Sequence, residues 1–288
     1  MKKYSFSSPY GNHLREITDS LDRLRPLPST ATRVLSATED PTMPADMIGE
    51  MLSLDQALTI EVLKFANSAQ MGYLSDCSSI ETAVVRLGFK RIRALVLKSF
   101  ASGPLNRRLN GYRLGADALW QHSLSTATFA EKIARAVSYA HPEDAYVAGL
   151  LHDIGKLILD QFIIKDYHQI TNIMKSQNKH VWEVEEKLFG IDHAGVGGLM
   201  AEKWKLPRNL INSIRYHHLP TLARTHRELA AIINIANSFT PKDTTSLTGL
   251  DGRFVNPTSL EILNLNLKKI DQMWESFSRK TQPTGRGV

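Results

Sequence analysis

Apolar residues recur at steps of three and four along almost the whole chain, and runs of alternating β-branched residues are nearly absent. This spacing is typical of amphipathic helices, so the sequence predicts an all-α fold. The predicted helices are Asp55–Ser68, Ser78–Phe100 in two parts, Ala116–Ala136, Glu143–Phe162, Lys165–Gln177, Val181–Leu188, His193–Trp204, Arg208–Tyr216, Arg227–Phe239 and Thr258–Phe277.

Three local signals divide this pattern. Asp55 has the side chain of an N-cap, and Gly88 suits the end of one helix and the start of another. The dipeptide Gly103-Pro104, followed by polar residues, marks the best candidate for a subdomain boundary. We therefore expect four parts: an N-terminal extension (1–23), a first helical half (24–103), a second helical half (104–240), and a loop with a last helix and a flexible tail (241–288). The first half should pack on the second rather than hang from a linker.

The composition is that of a globular protein, with 42% apolar and 22% charged residues over 288 positions and a mean hydropathy of −0.22. Charged and polar side chains interrupt the most apolar window, 146–164, so it cannot cross a bilayer. The first residues lack the apolar core of a signal peptide. The single cysteine, Cys77, excludes an intramolecular disulfide and a cysteine-based zinc site. These features predict a cytoplasmic protein without a membrane partner.

The net charge of +6 and the pI near 9.3 permit an anionic partner. Basic residues concentrate in one predicted helix, where they alternate with apolar residues at helical spacing: Arg86, Lys90, Arg91, Arg93 and Lys98. We interpret this run as a solvated helix face rather than a nucleic-acid or partner surface. Signatures of zinc fingers, helix-turn-helix motifs and RNP motifs are all missing, so nucleic acid is a disfavoured partner.

Candidate chemistry lies in the second half of the chain, in histidines on separate predicted helices. They are His122, His152 beside Asp153, His193, and the pair His217 and His218. Neutral imidazoles and a carboxylate suit manganese, iron, cobalt, nickel or zinc, and a helical bundle can point such ligands inward. Taken singly, each histidine could instead be a hydrogen-bonded core residue or a helix cap. Asp153 lies among apolar residues and would be costly to bury without a partner, which favours a metal.

The segment His152-Asp153-Ile154-Gly155-Lys156 suggests a reaction for such a site. If two metals shared Asp153, a hydroxide held between them could attack phosphorus, and Lys156 could neutralise charge on the phosphoryl oxygens. Asp153 and Lys156 are therefore the candidate catalytic residues for hydrolysis of a phosphodiester or phosphomonoester.

Several motifs in order resemble those of a known family, the HDOD domain. They are Leu27-Pro28 with Ser29-Thr30-Ala31, Ser53 to Leu58, Phe65-Ala66-Asn67-Ser68, Ile80-Glu81-Thr82-Ala83 and Arg86-Leu87-Gly88, and the resemblance extends over about Leu24 to Phe239. It implies a helical bundle of the HD superfamily, related to HD and HD-GYP phosphohydrolases of bacterial signal transduction. Many HDOD proteins have lost the metal ligands and act as non-catalytic interaction modules.

By resemblance to the HD-GYP pattern, His122, His152 and Asp153 match ligands of a first metal. Asp153 would bridge to a second metal held by His193, His217 and His218, and Lys156 matches the lysine after the HD pair. This chain departs from the pattern twice. Asn237 stands where the relatives have a ligand aspartate, and as a ligand it would be neutral and weaker, leaving the first site one charge short. Leu219-Pro220-Thr221-Leu222 replaces the segment leading to Gly-Tyr-Pro.

Two functions follow from these observations. The first is a signal-transduction module that retains a metal site and acts mainly by binding a signalling protein or a nucleotide-type ligand. The alternative is a metal-dependent phosphohydrolase acting on a nucleotide or cyclic dinucleotide. Either would hold one or two divalent transition metal ions, with iron or manganese favoured and nickel or zinc as alternatives. The sequence does not specify an oligomeric state.

Overall fold

The structure is a computed structural model that describes residues 11–23, 26–68, 71–73, 75–241, 246–249 and 254–281. Within these residues the fold is all-α, as predicted; a single isolated β-bridge joins Leu109 and Leu114. The helices are α1 (Gly11–Asp22), α2 (Ser29–Ala37), α3 (Ala45–Ser53), α4 (Gln56–Ala66), α5 (Ile80–Leu105), α6 (Ala118–Ala136), α7 (Pro142–Leu151), α8 (Lys156–Gln177), α9 (Val181–Phe189), α10 (His193–Lys203), α11 (Arg208–Arg215), α12 (Arg227–Phe239), α13 (Pro257–Ile262) and α14 (Leu267–Thr281).

The first half of the chain packs α2, α3 and α4 around the long helix α5. Asp55 caps α4 as predicted, because its carboxylate accepts hydrogen bonds from the backbone N–H groups of Ala57 and Leu58 at 2.9 and 3.1 Å. Helix α5 kinks at Gly88, which has φ of 73°, a conformation that favours glycine. The helix then continues through Pro104 to Leu105, so it ends slightly later than the predicted break.

The two halves lie against each other. Helix α5 packs along α7 and touches α6, while α1 packs on α8 and α9. This arrangement agrees with the expected packing of the N-terminal half on the second half. Helix α14 packs on α6, where the rings of Trp274 and Phe277 lie 5.0 and 5.3 Å from the ring of Phe129, measured between centroids. Within the described residues, no helix has the length and apolar character needed to cross a membrane.

Three predicted helices have the wrong bounds. The predicted helix Glu143–Phe162 is broken: α7 ends at Leu151, a tight turn covers 152–155, and α8 runs without the predicted interruption at 163–164. The turn is built from hydrogen bonds between residues three apart, such as Ile154 N–H to Leu151 O at 3.0 Å. The predicted last helix is also two helices, α13 and α14. Parts of the loop expected at 241–256, and the tail 282–288, lie outside the described residues.

Gly155 explains why the turn after α7 forms where it does. A Cβ atom at this position would collide with the carbonyl oxygen of His193 and lie 2.6 Å from the backbone nitrogen of Gly197. Gly149, six residues earlier on α7, is similarly crowded, because a Cβ atom there would lie 2.7 Å from Cα of Ala127 on α6. The backbone of the turn therefore lies directly against α10, which places His152 and Asp153 in the centre of the second half.

Candidate metal centre

The turn after α7 brings together all six histidine and aspartate side chains that the sequence singled out. Two groups of ligand atoms form, each with members within 4.8 Å of one another: His122, His152 and Asp153 in the first, and His193, His217 and His218 in the second. The groups come from α6, the turn after α7, the first residue of α10 and the residues just after α11.

Asp153 lies between the two groups and is fully buried. Its Oδ2 is 3.6 Å from Nε2 of His122 and 3.3 Å from Nε2 of His152, while its Oδ1 is 3.2 Å from Nε2 of His193. The ammonium of Lys156 contacts Oδ2 at 2.5 Å. Burial alone would raise the pKa of Asp153, but the charges of His152 and Lys156 hold it well below its usual range. Asp153 is therefore a charged carboxylate at the centre of the site.

Backbone carbonyls orient three of the histidines. Nδ1 of His152 bonds to Gly149 O at 2.7 Å, Nδ1 of His217 to Ile214 O at 2.8 Å, and Nδ1 of His122 to Pro241 O at 3.1 Å. A carbonyl only accepts, so each Nδ1 must carry the proton. In a neutral ring Nε2 then has a bare lone pair, and these lone pairs point towards Asp153 and the neighbouring histidines.

A carboxylate orients the fourth, His193. One oxygen of Glu185 accepts both the backbone N–H of His193, at 2.8 Å, and its Nδ1–H, at 2.6 Å. The other oxygen accepts the hydroxyl of Tyr112 at 2.7 Å. Burial lowers the pKa of His193, but the charge and hydrogen bond of Glu185 outweigh it and raise that pKa to about 9. Carboxylates and carbonyls behind metal-binding histidines fix the tautomer in this way.

The sequence analysis did not identify Glu185 or Tyr112. A signal for Glu185 exists, because it shares the buried face of α9 with Val181, Trp182 and Val184, where an unpartnered carboxylate would be costly. No comparable signal marks Tyr112, which lies 73 residues before Glu185 in a segment between helices.

Two buried atoms at the centre have no hydrogen-bond partner within the described part of the chain, Nε2 of His152 and Nε2 of His217. In addition, Nε2 of His218 lies 2.9 Å from Nε2 of His193. This contact needs either a proton on one of the two nitrogens or a cation between them, and the raised pKa of His193 supplies such a proton when no metal is bound. Burial lowers the pKa of His217 and of His218 well below the usual range, which keeps both rings neutral and suited to bind a metal.

Asn237 lies at the edge of the first group. It is buried on α12, and its Oδ1 is 3.1 Å from Nε2 of His122. Asn237 is therefore in contact with the first group. Because Nδ1 of His122 donates to Pro241, its Nε2 has no proton to offer. The amide must either turn its NH2 group towards this nitrogen or share a cation with it.

A cavity of about 260 Å³ reaches the first group from the surface. Its polar lining includes His122, Asp153 and Lys156, and the rest is formed by Leu114, Ala118, Leu119, Gln121, Ser125, Pro241 and Thr248. The second group contributes no residue to this lining. A ligand entering the cavity would therefore meet the first group and the ammonium of Lys156.

Comparisons with known proteins agree with this architecture. A solved HDOD domain protein of unknown function from Geobacter sulfurreducens is 26% identical, superposes with a TM-score of 0.67, and the match covers 93% of this chain and 94% of that one. A provisionally assigned phosphohydrolase of Shewanella amazonensis has the same TM-score at 23% identity, with 96% of each chain covered, and shares the fold.

The sequence comparisons point the same way. An uncharacterized protein of Treponema pallidum (strain Nichols) is 30% identical over 223 residues, which are 77% of this chain and 43% of the relative. This chain thus spans less than half the length of that relative. The model of the HDOD domain family matches residues 24–220, well over half of the sequence. The chain therefore belongs to the HDOD domain family.

Proposed function

We propose that this chain is a signal-transduction module whose buried histidines and aspartate hold one or two divalent metal ions. The observation that carries the proposal is a pair of buried ring nitrogens at the centre, Nε2 of His152 and Nε2 of His217, which have no hydrogen-bond partner in the part of the chain that the structure describes. Each buried polar atom without a partner costs about 1–3 kcal/mol. A cation bound in each group of ligands would satisfy these atoms.

The donor set fits a transition metal. His122, His152 and Asp153 would hold one ion, and His193, His217 and His218 a second, with Asp153 between them. Imidazole and carboxylate ligands are common to manganese, iron, nickel and zinc, and the absence of thiolates gives no preference for soft ions. Iron or manganese remains our favoured choice.

Two features support binding, rather than turnover, as the main role. Asn237 offers the first group a neutral amide where a carboxylate would add a charge. Lys156 already contacts Oδ2 of Asp153, the same oxygen that faces His122 and His152. Both features weaken the attraction of the first group for a metal cation. The module would then signal by binding a protein partner or a nucleotide-type ligand.

Metal content of the purified chain, measured by mass spectrometry, tests this proposal. We expect the chain supplied with iron or manganese to bind at least one ion, and the His217→Gln variant to bind much less. His168→Gln is the matched control, because His168 lies exposed on α8. A chain that takes up none of iron, manganese, nickel and zinc when each is supplied, or a control that loses as much metal as His217→Gln, would show that the centre is not a metal site.

A second candidate, metal-dependent phosphoester hydrolysis, is favoured by the cavity that reaches Asp153 and Lys156. A metal bound there would supply an activated water for attack on phosphorus. The ammonium of Lys156 would neutralise charge on the phosphoryl oxygens, and Asp153 would hold that ammonium in place. Hydrolysis adds water across the P–O bond and releases an alcohol and a phosphate product.

Hydrolysis of bis-p-nitrophenyl phosphate and p-nitrophenyl phosphate by the metal-loaded chain tests the second candidate. We expect turnover to be slow and to disappear in Lys156→Met. His168→Gln should retain the native rate. Turnover that survives in Lys156→Met would contradict the role given to Lys156, and no turnover of either compound would leave the binding module as the function.

A further inference from the structure

A second and larger cavity lies at the seam between the two halves of the chain. It measures about 610 Å³, within the range of roughly 300–1,000 Å³ that holds small-molecule ligands. Helices α4 and α5 of the first half form one wall, and α6 and α7 of the second half form the other; the lining is Phe65, Met71, Arg91, Ala94, Leu95, Lys98, Thr128, Glu131, Lys132, Arg135, Glu143 and Tyr146. We call it the seam cleft. It shares no lining residue with the cavity at Asp153.

Helical spacing creates both walls of the seam cleft. On α5, Arg91 and Lys98 are seven residues apart, so they lie on one face two turns apart, with Ala94 and Leu95 between them. On α6, Thr128 and Arg135 bound a face with the same spacing. Part of the basic run that we interpreted as a solvated helix face thus lines a cavity. Arg93 of the same run bonds instead to Thr38 O at 2.8 Å.

Two cations of the seam cleft have N–H groups that are available to a ligand. Arg91 and Lys98 are about one-third exposed, at 34% and 33%. The nearest carboxylates are Glu143, 3.9 Å from Arg91, and Glu61, 3.6 Å from Lys98. Within the described residues, neither cation makes a hydrogen bond to an oxygen atom. An anion entering the cleft would therefore find N–H donors that are not already occupied by close acceptors.

On the opposite wall, the positive charges are more nearly balanced by acceptors. Arg135 pairs with Glu131 at 2.5 Å, and Lys132 donates to Met273 O at 3.0 Å. The lining as a whole has four cations and two carboxylates, so it attracts negative charge. This charge excess lies in a partly enclosed space, where it acts more strongly than at an open surface.

The rest of the lining is apolar and aromatic. Phe65, Leu95 and Tyr146 offer a surface for a flat, apolar group. The hydroxyl of Tyr146 makes no hydrogen bond in the described part of the chain. Burial, with the charges of Glu131 and Glu61, raises the pKa of Tyr146 to about 12, so the hydroxyl stays protonated and can donate. The cleft therefore combines an apolar surface, a hydroxyl donor and a cationic edge.

We propose that the seam cleft binds an aromatic phosphomonoester of mononucleotide size, with the phosphate at Arg91 and Lys98 and the ring against Phe65 and Tyr146. Arginine and lysine both bind phosphate, and aromatic side chains stack on bases. Phosphate alone would leave the apolar surface uncovered, and a neutral ring would leave the cations without an anion. The proposal does not depend on a metal in the centre around Asp153.

Calorimetric titration of the 288-residue chain with adenosine 5′-monophosphate tests the proposal. We expect saturable binding that weakens by about tenfold or more in Arg91→Gln and in Lys98→Gln, because each removes charge-assisted hydrogen bonds. Tyr146→Phe should weaken binding less and leave the fold intact. Lys90→Gln is the matched control: it removes a charge from the same helix, one residue away from Arg91 and outside the cleft.

Titrations of adenosine and of inorganic phosphate separate the two parts of the ligand, and both should bind more weakly than the monophosphate. The Asp153→Asn variant should bind adenosine 5′-monophosphate as the native chain does. Loss of binding in Asp153→Asn would place the nucleotide in the metal centre instead. Equal losses in Lys90→Gln and Arg91→Gln, or no binding of the monophosphate at millimolar concentration, would overturn the proposal.

Discussion

At the scale of single residues, the direction of each imidazole lone pair follows from what lies behind the ring. Gly149, Ile214 and Pro241 offer carbonyls to three histidines, and Glu185 offers a carboxylate to His193. The candidate ligands could be predicted from the sequence because imidazole and carboxylate are typical of metal sites. The groups that orient these ligands could not be predicted, since a backbone carbonyl has no side-chain signature. Tyr112 likewise contacts Glu185 only in the folded chain.

The pairing of Glu185 with His193 leads to the first prediction. In Glu185→Gln the amide has a single oxygen, so it cannot accept from the two N–H groups of His193 and from Tyr112 as the carboxylate does. We expect metal affinity of the second group to fall by about 10–100-fold, as is usual when such a support is removed. Metal titration measures this, with the neighbouring Glu186→Gln as control. Equal affinities in both variants would show that Glu185 only fills space.

Asn237 leads to the second prediction. Unit charges 4 Å apart interact by about 4 kcal/mol at an effective dielectric constant of 20, so a carboxylate beside His122 should attract a metal strongly. We expect Asn237→Asp to raise the affinity of the first group for manganese by tenfold or more (about 1.4 kcal/mol), after the cost of burying the charge. Asn234→Asp is a control on the same helix. Unchanged manganese stoichiometry and affinity in Asn237→Asp would remove this residue from the site.

At the scale of helices, local signals placed some boundaries well and missed others. The cap at Asp55 and the kink at Gly88 depend on side chains or backbone within a few residues, so the sequence could predict them. The end of α7 depends on contact with α10, more than 35 residues later, and the apolar pattern continues through it. Periodicity cannot detect a break that a distant backbone imposes. His152 and Asp153 lie in this break.

Gly155 supplies the third prediction. A Cβ atom there would meet the backbone of His193 and Gly197, which cannot move aside as a flexible side chain would. We expect Gly155→Ala to lower the free energy of unfolding by about 1–3 kcal/mol or more. Gly103→Ala is the matched control, because a Cβ on this helical residue has nothing within 4 Å; it should be neutral or stabilising by about 0.5–1 kcal/mol. Urea denaturation measures both, and equal stability of the two variants would contradict the packing argument.

At the scale of the whole molecule, the same helices serve both cavities. Helix α6 carries His122 and Arg135, and α7 carries Tyr146 and leads into His152, so the seam cleft and the metal centre share two rigid elements. The all-α fold and the family resemblance could be predicted from periodicity and ordered motifs. The seam cleft could not be predicted from the sequence, because its two walls come from separate segments that each have the pattern of an ordinary amphipathic helix.

The fourth prediction concerns how the two halves unfold. A ligand that binds only the folded state stabilises it by about 2.7 kcal/mol at a concentration 100 times its Kd. If α5 and α7 hold the halves together, manganese should raise the midpoint of one shared thermal transition by about 5 °C or more. Asp153→Asn should abolish the shift, and His168→Gln should retain it.

Scanning calorimetry with and without manganese measures this prediction. Two separate transitions, with only the later one responding to the metal, would show that the first half is an independent unit. A single transition that shifts as a whole would show that metal binding stabilises the first half as well, although none of the candidate ligands lies in it. The packing of α5 on α7 would then be the physical link between the metal centre and the part of the chain that lines the seam cleft.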